Sequence, residues 1–173
     1  MVIRTKHLFM AAILLILLIS LGIGLRLYLR PTDENQIRKR FSTLSSLAAK
    51  TAKEGALPAA GKAKEISELF SEKSTFTVDG LDWMGGPFTR KALSGNIFRA
   101  RAMFSRLQLS LDDLELDIDP GRGTAKVFFS AVLSGTLKDG RTIREIRELE
   151  SNLIRTEDGW LFENFMVRRI IKK

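Results

Sequence analysis

A long apolar run near the N-terminus constrains this chain more than any other feature of its sequence. Residues 8–25 read LFMAAILLILLISLGIGL, in which Ser20 is the only polar side chain. Eighteen helical residues at about 1.5 Å each span roughly 27 Å, close to the ~30 Å hydrocarbon core of a bilayer. Because no face of such a helix would be polar, the run predicts a membrane-spanning helix and not a helix of a protein core.

The residues on both sides of the run fit a membrane anchor. Two basic residues precede it, and Arg26 and Arg30 follow it, where long basic side chains reach the lipid head groups. A cleaved signal peptide is the alternative interpretation, but its apolar region is usually about 7–15 residues long. No small-x-small cleavage site follows before the arginines. The sequence therefore predicts a short tail with a transmembrane signal-anchor helix at residues 1–30 and one domain at residues 31–173.

The charges around the run bear on the orientation of the body. The cluster Arg38-Lys39-Arg40 after the run would favour a cytoplasmic body by the positive-inside rule. A seven-residue tail before an apolar span is, however, similar to a bacterial signal-anchor, which exports the segment that follows it. We therefore expect a single-pass protein of the bacterial inner membrane with an extracytoplasmic body. The residues expected to contact membrane lipid are Arg26, Arg30, Arg38, Lys39 and Arg40.

The composition of the body excludes several kinds of site. The chain has no cysteine, and its single histidine (His7) and single tyrosine (Tyr28) lie in the first thirty residues. The body therefore lacks the side chains for a disulfide, a cysteine nucleophile, a Cys/His zinc site or a Ser-His-Asp triad. Four of the 28 basic residues and none of the 20 acidic residues lie in the first thirty, so half of the net charge of +8 belongs to the anchor. The nearly balanced body disfavours a nucleic-acid partner, and we expect neither a cofactor nor a metal.

Apolar spacing predicts three helices in the first half of the body. The first begins at residues 32–35, which offer capping side chains and early acidic residues. It runs to about Lys53, with Gly55 as its C-terminal cap. The other predicted elements of this half are a helix at 62–70, a brief strand near 75–78, a loop at 79–87 and a third helix after the capping residue Thr89.

The second half of the body alternates apolar and polar residues, which is typical of strands with one exposed face. Turn signals separate these stretches, the strongest being the Asp-Gly pairs that end at Gly140 and Gly159. The apolar positions change parity between Ile146 and Leu149, which predicts a β-bulge there. The predicted antiparallel strands cover about residues 114–118, 125–137, 142–156 and 160–171.

This order of elements resembles the nuclear transport factor 2-like fold, a cystatin-like α+β fold, over about residues 33–171. The resemblance also rests on Gly-Arg-Gly-Thr-Ala-Lys-Val at 121–127 and Thr-Glu-Asp-Gly-Trp at 156–160. It implies three N-terminal helices packed in a curved antiparallel sheet of about four long strands plus a short one, with a conical cavity inside. It further implies that Trp160 closes one end of the barrel.

The resemblance also suggests a catalytic alternative. Enzymes of this fold, such as ketosteroid isomerase, combine a carboxylate base with a tyrosine and a protonated acid. The base would be Asp79 or Asp82, but the first helix has Phe41 where the tyrosine would be expected. An aspartate in a loop more often turns or caps the backbone. A small-molecule isomerase or dehydratase with a carboxylate base in the conical pocket is therefore the alternative function.

A non-catalytic binding function is our main prediction. A small apolar ligand is one expected partner, and the aromatic residues expected to line its pocket are Trp83, Phe88, Phe98, Phe104, Phe129 and Trp160. The arginines and glutamates of residues 144–155, among them Glu148 and Glu150, predict cross-strand ion pairs on an exposed sheet face and suit a dimer interface.

The predicted layout also suggests where such a module would work. A short tail, one span and an extracytoplasmic body of this fold is similar to the plan of the inner-membrane assembly component of type IV secretion systems. We therefore predict a membrane-tethered interaction module that associates with itself or with another envelope protein, as part of an envelope or secretion assembly.

Overall fold

The computed structural model describes residues 32–78 and 87–170. No helix within these two ranges is both long and apolar enough to cross a bilayer. The predicted span at residues 8–25 lies outside them, and so do Arg26, Arg30, Asp79, Asp82 and Trp83. The predictions that rest on those residues therefore stay predictions.

Three helices precede the long strands in the described ranges: α1 at Asp33–Ala48, α2 at Ala56–Glu68 and α3 at Arg90–Ala102. The first turn of α1 has two acidic residues, which the positive end of the helix dipole favours. Its apolar face buries Ile37, Phe41 and Leu44. The predicted cap of α3 is confirmed, because Thr89 Oγ1 accepts a hydrogen bond from the backbone N–H of Ala92 at 3.3 Å.

Two helix boundaries differ from the prediction. α1 ends at Ala48 instead of about Lys53, and Gly55 precedes α2 instead of capping α1. α2 begins at Ala56 instead of at residue 62. Pro58 does not prevent this early start, because it lies in the first turn of α2, where a missing N–H costs no hydrogen bond within the helix.

The described residues form one six-stranded sheet in the order β2-β1-β6-β5-β4-β3. The strands are β1 at Phe70–Val78, β2 at Pro87–Thr89, β3 at Phe104–Asp119, β4 at Thr124–Leu137, β5 at Thr142–Thr156 and β6 at Gly159–Ile170. Strands β3 to β6 form the predicted antiparallel meander, but β3 begins at Phe104 and not near residue 114 as predicted. Contrary to the prediction, β1 is nine residues long and pairs in parallel with β6. The short strand β2 lies on the other side of β1, so the sheet is mixed and has one strand more than expected.

A register shift does lie inside the interval predicted to hold a β-bulge, between Glu148 and Leu149, but in the ladder of β5 with β6 and not in its ladder with β4. β4 and β5 pair without a register shift along their whole ladder. Ile146 pairs with Val132, whereas Leu149 pairs with the buried Phe129, so these two pairs lie on opposite faces of the sheet. The change of parity thus reflects an apolar residue on the outer face. The other register shifts lie further along the β5–β6 ladder, in the β3–β4 ladder and in the β1–β6 ladder.

The core lies between the helices and the inner face of the sheet. The ring of Phe41 in α1 meets Phe129 of β4 and Phe162 of β6 edge-on, with centroids 4.9 and 5.0 Å apart. Trp160 is fully buried, and its indole Nε1 donates a hydrogen bond to Asp33 Oδ1 at 3.2 Å. This bond joins the start of β6 to the start of α1.

Candidate functional site

A cavity of about 330 Å³ lies between the three helices and strands β1, β3, β4 and β6. We call it the apolar cavity, because the described residues that line it expose no polar atom to it. Its volume falls near the lower end of the range of small-molecule sites, about 300–1,000 Å³. The side chains that form its wall include Leu44, Ile66, Phe70, Ile97, Leu109 and Phe165.

Among the described residues of this lining, Arg101 is the one with a charged side chain, and its guanidinium binds the end of α1. The residue is 3% exposed. Its Nη1 donates to the carbonyls of Leu47, at 2.8 Å, and of Ala48, while Nη2 donates to the carbonyl of Ala49 at 3.3 Å. The last turn of α1 has no basic residue of its own. Arg101 therefore supplies from α3 the positive charge that stabilises the C-terminal end of α1.

Glu54 is the counter-ion of this arginine. Its Oε1 lies 2.6 Å from Arg101 Nη2 and its Oε2 lies 2.9 Å from Lys62 Nζ, with 5% of its side chain exposed. Burial by itself would raise the pKa of Glu54, but the hydrogen bonds and charges of Lys62 and Arg101 hold that pKa below its ordinary value. The carboxylate is therefore ionised and bonded on both oxygens, which makes it a structural counter-ion and not a general base.

Lys50 is a further cation of the same region. Its Nζ donates to the carbonyls of Arg101 and Phe104, both at 2.8 Å, at the C-terminal end of α3. Its backbone exchanges two hydrogen bonds with Leu107 of β3. Burial, and then the nearby charge of Lys138, lowers the pKa of Lys50 below the ordinary lysine value. Lys50 thus fixes the connector between α1 and α2 to both α3 and β3.

A second cavity, of about 340 Å³, shares Phe104 with the apolar cavity. It is formed by the connector after α1, the start of α2, the C-terminal part of α3, the start of β3 and the turn after β4. We call it the charged cavity, because Lys50, Glu54 and Lys138 line it. Phe98, Phe104 and four alanines give it an apolar part as well.

The aromatic residues predicted to line one pocket do not all line the same cavity. Phe104 lines both cavities, and Phe98 lines the charged cavity. Phe129 and Trp160 are 4% and 0% exposed and belong to the core. They line neither cavity, because α1 packs against this part of the inner face of the sheet. Phe88 also lines neither cavity and is packed, partly buried, against the core. Trp83 lies outside the described residues.

The predicted catalytic carboxylates, Asp79 and Asp82, also lie outside the described residues, so their role as a base stays a prediction. Among the residues that the structure describes, Glu54 is the only carboxylate that lines either cavity. Within the same ranges, no group of three or more histidine, cysteine, aspartate or glutamate side chains could hold a metal ion.

The pair of Arg101 and Glu54 was not predicted from the sequence. A signal for it exists on α3, where Leu93, Ile97 and Arg101 follow one another at intervals of four. These positions lie on one side of a helix, so a charged residue stands on an otherwise apolar stripe. Such a position predicts a buried charge with a partner. The partner itself, 47 residues earlier in the chain, leaves no local pattern.

The described members of the predicted lipid-contacting cluster lie on α1 and have different surroundings. Arg38 Nε is 2.9 Å from Glu34 Oε1, one turn earlier in the helix. Lys39 is exposed. Arg40 Nη2 donates to the carbonyl of Asp158 at 2.9 Å. Arg40 therefore holds the turn between β5 and β6, whereas Arg38 and Lys39 face solvent.

The charge-rich strand β5 does form cross-strand ion pairs, but the prediction of an exposed face is wrong for Glu150. This residue is 4% exposed. Its Oε1 lies 3.0 Å from Lys126 Nζ of β4, and its Oε2 contacts Arg168 of β6, whose guanidinium also lies over the ring of Phe128. Burial alone would raise the pKa of Glu150, but Lys126 and Arg168 hold it below its ordinary value. The longer cationic side chains cover the carboxylate.

Comparison with known proteins identifies the fold. No family model matches the chain, and no curated protein matches it. A solved nuclear transport factor 2-like protein with a cystatin-like fold from Novosphingobium aromaticivorans matches with a TM-score of 0.59 and 21% identity, over 87% of this chain and 88% of that one. A proposed aromatic ring hydroxylase from the same organism matches with a TM-score of 0.65 and 16% identity, over 81% and 90%.

A third solved structure agrees with these two. It is a proposed dehydratase of the nuclear transport factor 2-like family from Streptomyces avermitilis, with a TM-score of 0.62 and 13% identity, over 83% of this chain and 100% of that one. At such identities the likeness shows the fold alone. The chain thus has a nuclear transport factor 2-like α+β fold, with three helices and a curved six-stranded sheet among its described residues.

Proposed function

We propose that this protein is a non-catalytic binding module that holds a small, wholly apolar molecule in the apolar cavity. The observation that carries the proposal is the cavity of about 330 Å³ whose described lining exposes no polar atom. A polar group of a ligand would lose its bonds to water there without replacement, at a cost of roughly 2–7 kcal/mol. Each Å² of apolar surface buried, in contrast, contributes about 25 cal/mol. The cavity therefore selects hydrocarbon-like ligands.

The same lining supports a non-catalytic function. Acid-base catalysis needs a titratable group within hydrogen-bond reach of the substrate. The guanidinium of Arg101 is bound to the end of α1 and to Glu54, which is itself bonded to Lys62. The catalytic alternative rests on Asp79 and Asp82. A chain with both replaced by alanine that no longer complements a deletion, although it accumulates normally, would favour that alternative.

A titration of the full chain with naphthalene, in non-ionic detergent, tests the proposal. Methyl NMR signals of the lining residues Ile66, Leu109 and Leu133 should shift and saturate. Signals of the core residues Leu153 and Leu161 should stay in place, because these side chains do not line the cavity. Lining signals that do not move, or that move no more than the core signals, would contradict the proposal.

We further propose that the outer face of the sheet joins two copies of the chain. Arg144, Ile146 and Glu148 follow one another on that face of β5, and Ile146 pairs there with Val132 of β4. About a twofold axis through Ile146, Arg144 of each copy would meet Glu148 of the other, with the apolar pairs at the centre. The arrangement is therefore self-complementary in charge and in apolar surface.

A charge swap tests this second proposal by analytical ultracentrifugation. Glu148→Arg places like charges opposite each other and should weaken the dimer, while adding Arg144→Glu should restore it. Glu157→Arg, in the exposed turn after β5, is the control with the same change of charge. A dimer that Glu148→Arg does not weaken would contradict the twofold arrangement, and a monomeric parent chain would contradict self-association itself.

We also propose that the module works at the bacterial inner membrane with its body exported, where another envelope protein is a further partner. The apolar run at residues 8–25 supports this location. Alkaline phosphatase fused after Lys173 should be active if the body is exported. An inactive fusion that is nevertheless produced at the normal level would contradict the orientation.

A further inference from the structure

The charged cavity is a site of a different kind from the apolar cavity. It lies at the junction of the α1–α2 connector, the C-terminal part of α3 and the turn after β4, and it has a volume of about 340 Å³. Its wall combines the cations Lys50 and Lys138 with an apolar part that includes Phe98 and Phe104. Of the residues that the structure describes, only Phe104 lines both this cavity and the apolar cavity. The function proposed for the apolar cavity does not use the charged cavity.

The charges of this wall do not cancel. Glu54 is the only carboxylate among the described residues of the lining, and its two oxygens are bonded to Arg101, at 2.6 Å, and to Lys62, at 2.9 Å. Its negative charge is therefore already neutralised by two cations that do not themselves line the cavity. The charges of the half-buried Lys50 and of the exposed Lys138 remain in excess, and water screens the charge of Lys50 less than it would on an open surface.

The two lysines are close enough to affect each other. After burial, the charge of Lys138 is the largest cause of the lowered pKa of Lys50. Lys50 is held in place, because its Nζ donates to the carbonyls of Arg101 and Phe104. These two bonds use two of the three hydrogens of an ammonium group. An anion between the lysines would relieve their repulsion and accept the third hydrogen of Lys50.

The surroundings of the lysines suit the rest of such a ligand. Phe98, Phe104 and the alanines of the lining offer apolar contact beside the cations. The start of α2 also lines the cavity, and Gly55 provides no side-chain cap there. The positive end of that helix adds to the potential of the lysines.

We propose that the charged cavity binds a small organic anion, with its acidic group between Lys50 and Lys138 and its apolar or aromatic body against Phe98 and Phe104. A free organic acid and an anionic phospholipid share this chemistry. The site goes beyond the function proposed above, because it lies in another cavity and takes a charged ligand.

The experiment compares 2-naphthoate with neutral naphthalene on the full chain in non-ionic detergent. Alanine methyl signals report on the charged cavity, which Ala52, Ala56, Ala59 and Ala102 line. 2-Naphthoate should shift these signals with saturation, and naphthalene should shift them far less. Lys138→Glu replaces an attractive charge by a repulsive one and should weaken 2-naphthoate binding about tenfold or more. Lys91→Glu, an exposed position in the first turn of α3, should weaken it less than about twofold.

Competition then distinguishes the two sources of the anion. Displacement of 2-naphthoate by octanoate supports the site as one for free acids, and displacement by dihexanoyl-phosphatidylglycerol supports it as one for lipid head groups. Binding that Lys138→Glu does not weaken, or alanine signals that 2-naphthoate does not shift, would overturn the site. These outcomes are independent of the apolar cavity, whose leucine and isoleucine signals report naphthalene binding in the same samples.

Discussion

Replacing Arg101 with methionine should destabilise the fold strongly, because it removes one partner of a buried ion pair. Arg101 is 3% exposed and binds three carbonyls at the end of α1 as well as Glu54. The substitution would leave the buried Glu54 with Lys62 alone and would leave the three carbonyls without their cation. Removing one member of such a pair costs about 3–5 kcal/mol of unfolding free energy. At roughly 3 °C for each kcal/mol, the melting temperature should fall by about 10–15 °C.

Urea denaturation of four chains would measure this effect: the parent, Arg101→Met, Glu54→Gln and the double variant. Neutralising Glu54 removes the charge that Arg101→Met leaves unpaired. The double variant should therefore be about 1–3 kcal/mol more stable than the sum of the single losses predicts. Arg99→Met, on the exposed side of the same helix, is the control and should change stability by less than about 0.5 kcal/mol. A loss below about 1 kcal/mol for Arg101→Met, or additive effects, would refute the proposed role of this pair.

Two further perturbations test other parts of the structure. Because the pKa values of Glu54 and Glu150 are held below the ordinary value of 4.5, both groups stabilise the fold above that pH. This contribution should be lost as the pH falls through the lowered values, and Glu54→Gln should flatten that dependence in acid titrations followed by circular dichroism. Gly135→Ala should cost about 1–3 kcal/mol in urea denaturation, because a Cβ there would lie 2.6 Å from the carbonyl oxygen of Arg106. Gly95→Ala, in open space on α3, should instead stabilise by up to about 1 kcal/mol, and a loss at Gly95 similar to that at Gly135 would contradict the steric explanation.

The sequence predicts those parts of the fold whose contacts are close in the chain. The spacing of Ile37, Phe41 and Leu44 predicts α1, and the Asp-Gly pair ending at Gly140 predicts the hairpin of β4 and β5, and both are confirmed. The parallel pairing of β1 with β6 could not be predicted in this way. Parallel neighbours are joined by no tight turn, and 80 residues lie between the end of β1 and the start of β6.

The lining of the two cavities was less predictable than the fold, because it depends on how closely α1 packs against the inner face of the sheet. Phe104 does line both cavities, but Phe129 and Trp160 are also large aromatic residues, and they belong to the core because α1 packs on them. Alternating apolar residues show which face of a strand points to the core. They do not show which side chains on that face pack against a helix and which ones line a cavity. The neutralisation of Glu54 by Arg101 likewise needs the packing of α3 against the connector, which local patterns do not specify.

The most direct test of the central claim is the affinity of the full chain for naphthalene after a large side chain has been introduced into the wall of the apolar cavity. Ala100 of α3 lines this cavity, whereas Ala92, two turns earlier on the same helix, lines neither cavity. Both alanines are exposed, so the fold should tolerate a tryptophan at either position. Ala100→Trp should weaken naphthalene binding at least about tenfold, because the indole takes the space of the ligand. Ala92→Trp should leave the affinity within about twofold of the parent value. Equal affinities for all three chains would contradict a ligand site in the apolar cavity.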